Sequence, residues 1–551
     1  MNNFYKNFVN EEYDSKGRLK KFELNCPPNY NFAYDVIDGI AAFNPDKKAI
    51  HWVHESGEER EFTYAELSKL TNKVANMFRA HGVKKGDMVM LVLKRHYQFW
   101  LCVYGLMKLG AISIPATNQL MEKDYTYRFE SASVKYVVAT AEGDVTDHID
   151  ASCEKYKDLQ EKFIARGTRE GWTSFDEEIE KYSDELERVD TLVDEPMFLY
   201  FSSGTTGYPK MILHSYYYSA AHIVTAKHWH CVHDGTLHLT ISDSGWGKCA
   251  WGKLFGQFTC GATEFIYDFD RFNSAKMLSM IEKYRITSFC APPTMYRFFI
   301  KEGIENYDLS SLERACIAGE ALNPEVFNRF YEYTGLKLME AFGQTETVPI
   351  VANLGDMNPK PGSMGKPVPL YDVVLVDENG NEVACGETGE ICIRTDGQYH
   401  KGILKCYYRN EQDTNDSWHD NLYHTGDTAW CDEDGYYWYV GRVDDVIKSS
   451  GYRIGPFEIE SVLMEHPSVL ECAVTGVKDA IRGQVVKATI VLAKNFKPSE
   501  ELKKELQNYV KNATAPYKYP RVIEFVEELP KTISGKIIRK AIRKSDAEKQ
   551  D

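Results

Sequence analysis

With 551 residues, 43% hydrophobic and 26% charged, the chain has an ordinary globular composition and is too long for one compact core, so at least two domains are expected. Its 65 Lys and Arg against 81 Asp and Glu give a formal charge of −16, which repels phosphate backbones and excludes nucleic acid as a partner. The 13 Cys, scattered from Cys26 to Cys472 without a CxxC pair or a His/Cys grouping at zinc-finger spacing, point to a reduced, cytoplasmic compartment.

In chain order, the first residues lack a basic region followed by an apolar stretch and do not read as a secretory signal. From about residue 33 to 350, apolar strand-like runs such as Met88 to Leu93 and Tyr136 to Thr140 alternate with helical patterns, which predicts parallel α/β layers. The longest apolar stretch, Phe99 to Ala116, is broken by Lys108 and closes on Ile114-Pro115; it predicts a buried helix running into a strand, not a membrane span. From about 370, paired strands with Asn-Gly and Asp-Gly turns (Asn379-Gly380, Asp434-Gly435) predict a β-rich portion. Pro456 then opens a helix from Phe457 to Glu465. Strands at Val469 to Val477, Val485 to Leu492 and Val522 to Val526, with a helix at Glu500 to Asn512, complete a small α+β unit. The expected division is 1–443 and 444–551, with a boundary near Asp444.

The most informative segment is Phe198 to Lys210, an apolar strand running into a loop rich in hydroxyls and glycine. Gly204 and Gly207 allow a tight path with exposed amides, and Ser202, Ser203, Thr205, Thr206 and Lys210 can bond phosphate oxygens. It is not the GxxxxGK[ST] loop, because Lys210 follows Gly207 by three and no Ser or Thr comes next.

Ser203 to Lys210 resembles the signature of the adenylate-forming superfamily of acyl-CoA synthetases, luciferases and peptide-synthetase adenylation domains. Further segments match in the family's order: Ala318 to Leu322, Ala341 to Glu346, Tyr423 to Asp427, Gly441 to Asp445 and Pro530 to Lys536. Ser449 to Pro456 and Ala515 to Pro520 are most similar to medium-chain acyl-CoA synthetases.

The resemblance implies a large, multi-subdomain α/β N-terminal domain with a β-rich portion, carrying ATP and acyl sites, and a small mobile α+β C-terminal domain. It implies that a carboxylic acid is adenylated with ATP and Mg²⁺, then transferred to coenzyme A with release of AMP. Phe342 stacks on adenine, and Gly319, Glu320, Ala321, Glu340, Ala341, Gly343 and Gln344 flank the nucleotide. Thr345 bonds the α-phosphate, Glu346 holds Mg²⁺, and Asp427, a residue that could equally serve a β-turn, accepts the ribose hydroxyls with Arg442 beside it. Lys536, with Thr345 and Arg453, serves the first step by countering charge as pyrophosphate leaves. Rotation about Asp444 then brings Gly451 in, with Ser450, Arg482 and Tyr519 toward CoA; Tyr519 reads equally as a packing residue.

Gly343 stands where acetate-specific relatives carry a Trp, which implies a deeper acyl pocket for a short or medium-chain, branched or aromatic acid. Trp246, Gly247 and Trp251 supply wall or core. Acetylation of Lys536 by a protein acetyltransferase, reversed by a deacetylase, would disable the first step. Two other readings stay open: an enzyme that loads a carrier protein, and a catalytically silent nucleotide-binding protein on the same scaffold.

Overall fold

The computed structural model describes residues 3–202, 208–320, 322–395, 400–449, 452–479, 481–532 and 536–550, and of Arg453 and Gln550 the backbone alone. Among the described residues the α/β portion is built on two large sheets. The first has eight strands, centred on Met88–Val92, which pairs in parallel with Ile112–Pro115 on one side and Tyr136–Thr140 on the other. Beyond Ile112–Pro115 lies Pro196–Phe201, again parallel, followed by Met211–Ser215 as its antiparallel hairpin partner. The second has nine strands and carries in its centre Leu237–Thr240, Ser288–Ala291, Arg314–Ala318 and Leu338–Phe342, all parallel. The expected parallel layers are present, with antiparallel hairpins at their edges.

Local chemistry explains the joints. Helix Tyr64–Ala80 starts at a capping box in which Thr63 accepts from the Glu66 amide while Glu66 accepts from that of Thr63. Helix Gln98–Leu109 ends on Gly110 at φ 70°, a left-handed cap, and the chain re-enters the sheet at Ile112–Pro115. Every residue of that helix is buried, Lys108 included, which is why it reads as an almost wholly apolar stretch; no described helix is long and apolar enough to cross a membrane.

The β-rich portion is an antiparallel sheet of Val373–Val376, Gly389–Arg394, Leu422–Cys431 and Tyr437–Arg442, with Trp418–His419 at its edge. Gly435, at φ 78°, makes the predicted Asp-Gly turn between its last two long strands. In the C-terminal unit, Val469–Asp479 and Gly483–Leu492 form a long hairpin joined in parallel by Val522–Val526, and Pro456 sits in the first turn of helix Pro456–Glu465. Ile459, Leu463, Val474, Val486, Ile490, Leu506 and Val510 give this unit a hydrophobic core of its own.

Candidate active site

Three strand ends converge on one place. The first is the neck of the phosphate-loop segment, where the Ser202 amide donates to the Lys210 carbonyl at 2.9 Å and the Lys210 amide donates to Ser202 Oγ at 3.3 Å. Ser203, Gly204, Thr205, Thr206 and Gly207 lie outside the described residues. Lys210 Nζ lies 3.3 Å from Asp413 and 4.7 Å from the centre of the Tyr407 ring.

The second is strand Leu338–Phe342, which delivers Gly343 to Glu346 as a loop. Glu346 Oε1 accepts the Tyr407 hydroxyl at 3.0 Å, and burial raises its carboxyl above the ordinary range. The Thr345 carbonyl is 2.8 Å from His214 Nε2. Burial lowers His214 to about 3, so the ring is neutral and Nε2–H is the donor. Glu340 is fully buried, accepts the Leu322 amide at 3.3 Å, and is raised to about 8 by burial.

The third is the Leu422–Cys431 and Tyr437–Arg442 hairpin, where Asp427 and Arg442 are cross-strand partners. Asp427 Oδ2 accepts from Gln344 Nε2 at 2.6 Å and from Arg442 Nη1 at 3.2 Å, while Oδ1 accepts the Tyr439 hydroxyl at 3.0 Å. Burial pushes this carboxyl up, and Arg442, Gln344 and Tyr439 pull against it. Gln344 is braced in turn by the Tyr423 hydroxyl at 3.1 Å and the Thr425 carbonyl at 2.7 Å. The half-buried Phe342 ring stands 6.1 Å from that of Tyr439.

Lys536 is exposed, its amide donating to Thr532 Oγ1 at 3.1 Å, and its positive charge is felt at Asp427. Glu320 accepts from Thr294 at 2.9 Å, and Gly319 has φ 103° with open space where a Cβ would stand. Ala321, Ser450 and Gly451 lie outside the described residues, as does the Arg453 side chain, whose backbone pairs with Lys448. Arg482 is exposed on a tight turn, its amide donating to Asp479 at 2.8 Å. Tyr519 packs on the C-terminal core, and its hydroxyl accepts from Arg521 at 2.9 Å. Asp444 lies 4.0 Å from Arg442 and 3.8 Å from Arg543; neighbouring Asp445 is paired with Arg543 and Arg539.

Gly343 does not face empty space. A Cβ there would fall 2.5 Å from Cη2 of Trp251, so the missing side chain makes room for that buried indole. Gly247 likewise lets its segment approach Thr345, with an added Cβ 3.0 Å from Thr345 Cγ2, and Trp246 just before it is half-buried. His214, Tyr407 and Tyr439 were not singled out by the sequence. Tyr439 lies two residues before a recognisable motif, but His214 and Tyr407 carry no local signal.

The convergence is that of an enzyme binding a nucleotide, and the chain belongs to the AMP-binding enzyme family: the profile of that description matches residues 38–408, and the AMP-binding enzyme C-terminal domain matches 458–536. Acyl-coenzyme A synthetase ACSM3, mitochondrial, of Mus musculus is 40% identical over 98% of this chain and 95% of its own. Acyl-coenzyme A synthetase ACSM4, mitochondrial, of Rattus norvegicus is 41% identical over 95% of this chain and 92% of its own. Among solved structures, the anthranilate CoA ligase AuaEII in complex with anthranoyl-AMP superimposes with TM-score 0.85 at 30% identity, covering 95% of this chain and 99% of that one. A Brucella canis acyl-CoA synthetase gives 0.72 at 30% identity, with 96% of each chain covered.

The large N-terminal α/β domain and small C-terminal domain are those the motif resemblance implied. The cytoplasmic expectation is overturned by the mitochondrial relatives. The thirteen thiols are all free, but free thiols mark a reducing environment without saying which one.

Proposed function

We propose that this chain is an AMP-forming acyl-CoA synthetase. The observation that carries the reading is the buried Asp427, held by Gln344, Arg442 and Tyr439 beside the Thr345-Glu346 loop and the Ser202–Lys210 neck. In the first step a substrate carboxylate oxygen attacks the α-phosphorus of ATP, the bond to the bridging oxygen breaks, and pyrophosphate departs with its electron pair. Asp427 accepts the ribose hydroxyls, Phe342 stacks on adenine, Thr345 bonds the α-phosphate from a loop anchored by His214, and Lys536 and Arg453 counter the developing charge. In the second step the CoA thiolate attacks the acyl carbonyl and AMP leaves.

Glu346 fits Mg²⁺, which takes one or two carboxylates with phosphate oxygens and water: it is half-buried next to the phosphate-loop neck, Tyr407 orients it, and its raised carboxyl is what a divalent cation would bring back down. Bound Mg²⁺ would neutralise phosphate charge on the leaving pyrophosphate.

The reading divides the chain into 1–443 and 444–551 and turns the second unit about the exposed Asp444, bringing Ser450, Gly451, Arg482 and Tyr519 toward CoA. The separate core of the C-terminal unit supports this. The acid is short or medium-chain, branched or aromatic, with Trp246 and Trp251 against it. The exposed Lys536 is open to acetylation, which would remove its charge.

The test is acid-dependent pyrophosphate release and acyl-CoA formation over acetate, butyrate, 2-methylbutyrate, hexanoate, octanoate and benzoate. An optimum from four carbons upward supports the reading. Adenylate formation without transfer to CoA moves it to carrier loading, and no turnover of any acid overturns it.

A further inference from the structure

Glu390, Cys392 and His424 lie outside the machinery just described, yet each offers a ligand atom, and these atoms lie within 4.8 Å of one another. The sheet register brings them together. Cys392 and His424 are cross-strand partners in the antiparallel pair Gly389–Arg394 and Leu422–Cys431, and the register shifts between Glu390 and Cys392. Residues 390 and 392 point to one face of their strand, so the Glu390 carboxylate comes beneath the same imidazole. His424 Nδ1 is 3.0 Å from Glu390 Oε2 and 3.4 Å from Cys392 Sγ. The Cys392 side chain is fully buried, the His424 side chain only 12% exposed, and buried His424 Nε2 has no hydrogen-bond partner among the described residues. His419 stacks on the His424 ring at 3.8 Å.

We propose that Glu390, Cys392 and His424 form a binding site for a zinc-class divalent cation. Tetrahedral zinc, with bonds of about 2.0 Å to N and O and about 2.3 Å to S, sets ligand atoms roughly 3.3 to 3.7 Å apart. The 3.0 and 3.4 Å separations need to open by only a few tenths of an ångström to admit the ion. A mixed N, O and S set selects zinc or its transition-metal neighbours over Mg²⁺, which separates this site from Glu346. Three protein ligands leave a fourth position for water or an incoming ligand. The site touches the nucleotide side: Glu390 Oε1 accepts the Gly426 amide at 2.8 Å, one residue before Asp427, so an ion drawing on Glu390 acts on the turn that presents the ribose acceptor.

The probe is Co²⁺ titrated into the reduced, metal-free full chain. One equivalent is expected to give a near-ultraviolet thiolate-to-cobalt absorption, abolished by Zn²⁺. Cys392→Ser should lose the band, and His424→Gln should weaken Co²⁺ binding by about tenfold or more. Cys385→Ser, which removes an exposed thiol elsewhere, should keep the band. Where Cys392→Ser fails to fold by circular dichroism, Glu390→Gln takes its place and should weaken binding about tenfold with the thiol intact. No saturable band in the parent protein, a full band in Cys392→Ser, loss of the band in Cys385→Ser, or unchanged affinity in His424→Gln or Glu390→Gln overturns the site.

Discussion

Asp427 and Arg442 face each other across an antiparallel hairpin, with Nη1 3.2 Å from Oδ2, and Gln344 reaches the same oxygen from the loop that follows a strand of a different sheet. The carboxylate joins the nucleotide loop to the strand that leads toward Asp444, so its loss is felt in both.

Asp427→Asn should therefore raise KM for ATP by about 10- to 100-fold, the usual weight of a buried charged hydrogen bond, and leave Arg442 without its partner. Steady-state kinetics with ATP varied at saturating acid and CoA would check this, and a KM within about twofold of the parent would contradict it.

Lys536→Ala should reduce acid-dependent pyrophosphate release about 100- to 1000-fold while transfer from supplied acyl-AMP to CoA stays near the parent rate. Equal loss in both half-reactions would mean that Lys536 shapes the fold and not the first step.

Glu340 binds its proton more tightly in the folded chain, at about 8 against the ordinary 4.5, because burial disfavours the charge. The folded state then holds more protons than the unfolded one between these values, so stability falls as pH rises through that window, by at most about 1.4 kcal/mol per unit. Glu340→Gln, which still accepts the Leu322 amide, should flatten the decline between pH 5 and 8 in chemical denaturation. Parallel curves for the two proteins would refute it.

Gly343→Ala would place a methyl 2.5 Å from Trp251 and 2.8 Å from the Val348 carbonyl. Overpacking of this kind costs about 1 to 3 kcal/mol, so Tm should fall, and Trp251→Phe in the same chain should recover part of it. An unchanged Tm in the single variant would show that the indole moves freely.

Much of the α/β layering was legible because buried parallel strands are apolar throughout and the helices between them are long enough to show their period; Met88–Val92 and Gln98–Leu109 are both buried along their whole length. The C-terminal unit was legible through Pro456 at a helix start and through its apolar strand runs. The contacts that arm the site were not. His214 meets the Thr345 carbonyl across 131 residues, Tyr407 meets Glu346 across 61, and Trp251 fills the space over Gly343, none of which leaves a periodic trace. Gly343 was legible as a missing side chain but not as a socket for an indole. Glu390, Cys392 and His424 escaped a search for ligand spacing because a sheet register, and not a short loop, unites them.

The grip on the Asp444-Asp445 segment bears on the rhythm of turnover. Arg539 bonds Glu460 through two nitrogens and lies 3.7 Å from Asp445, while Arg543 pairs with Asp445 and approaches Asp444, so one helix holds the chain at the proposed pivot and just beyond it. A swing about Asp444 must change that residue's approaches to Arg442 on one side and Arg543 on the other, at 4.0 and 3.8 Å, and dissolved ions screen partly exposed charges. Salt would act as a lubricant between the half-reactions, shifting the balance of the two orientations without entering either chemical step.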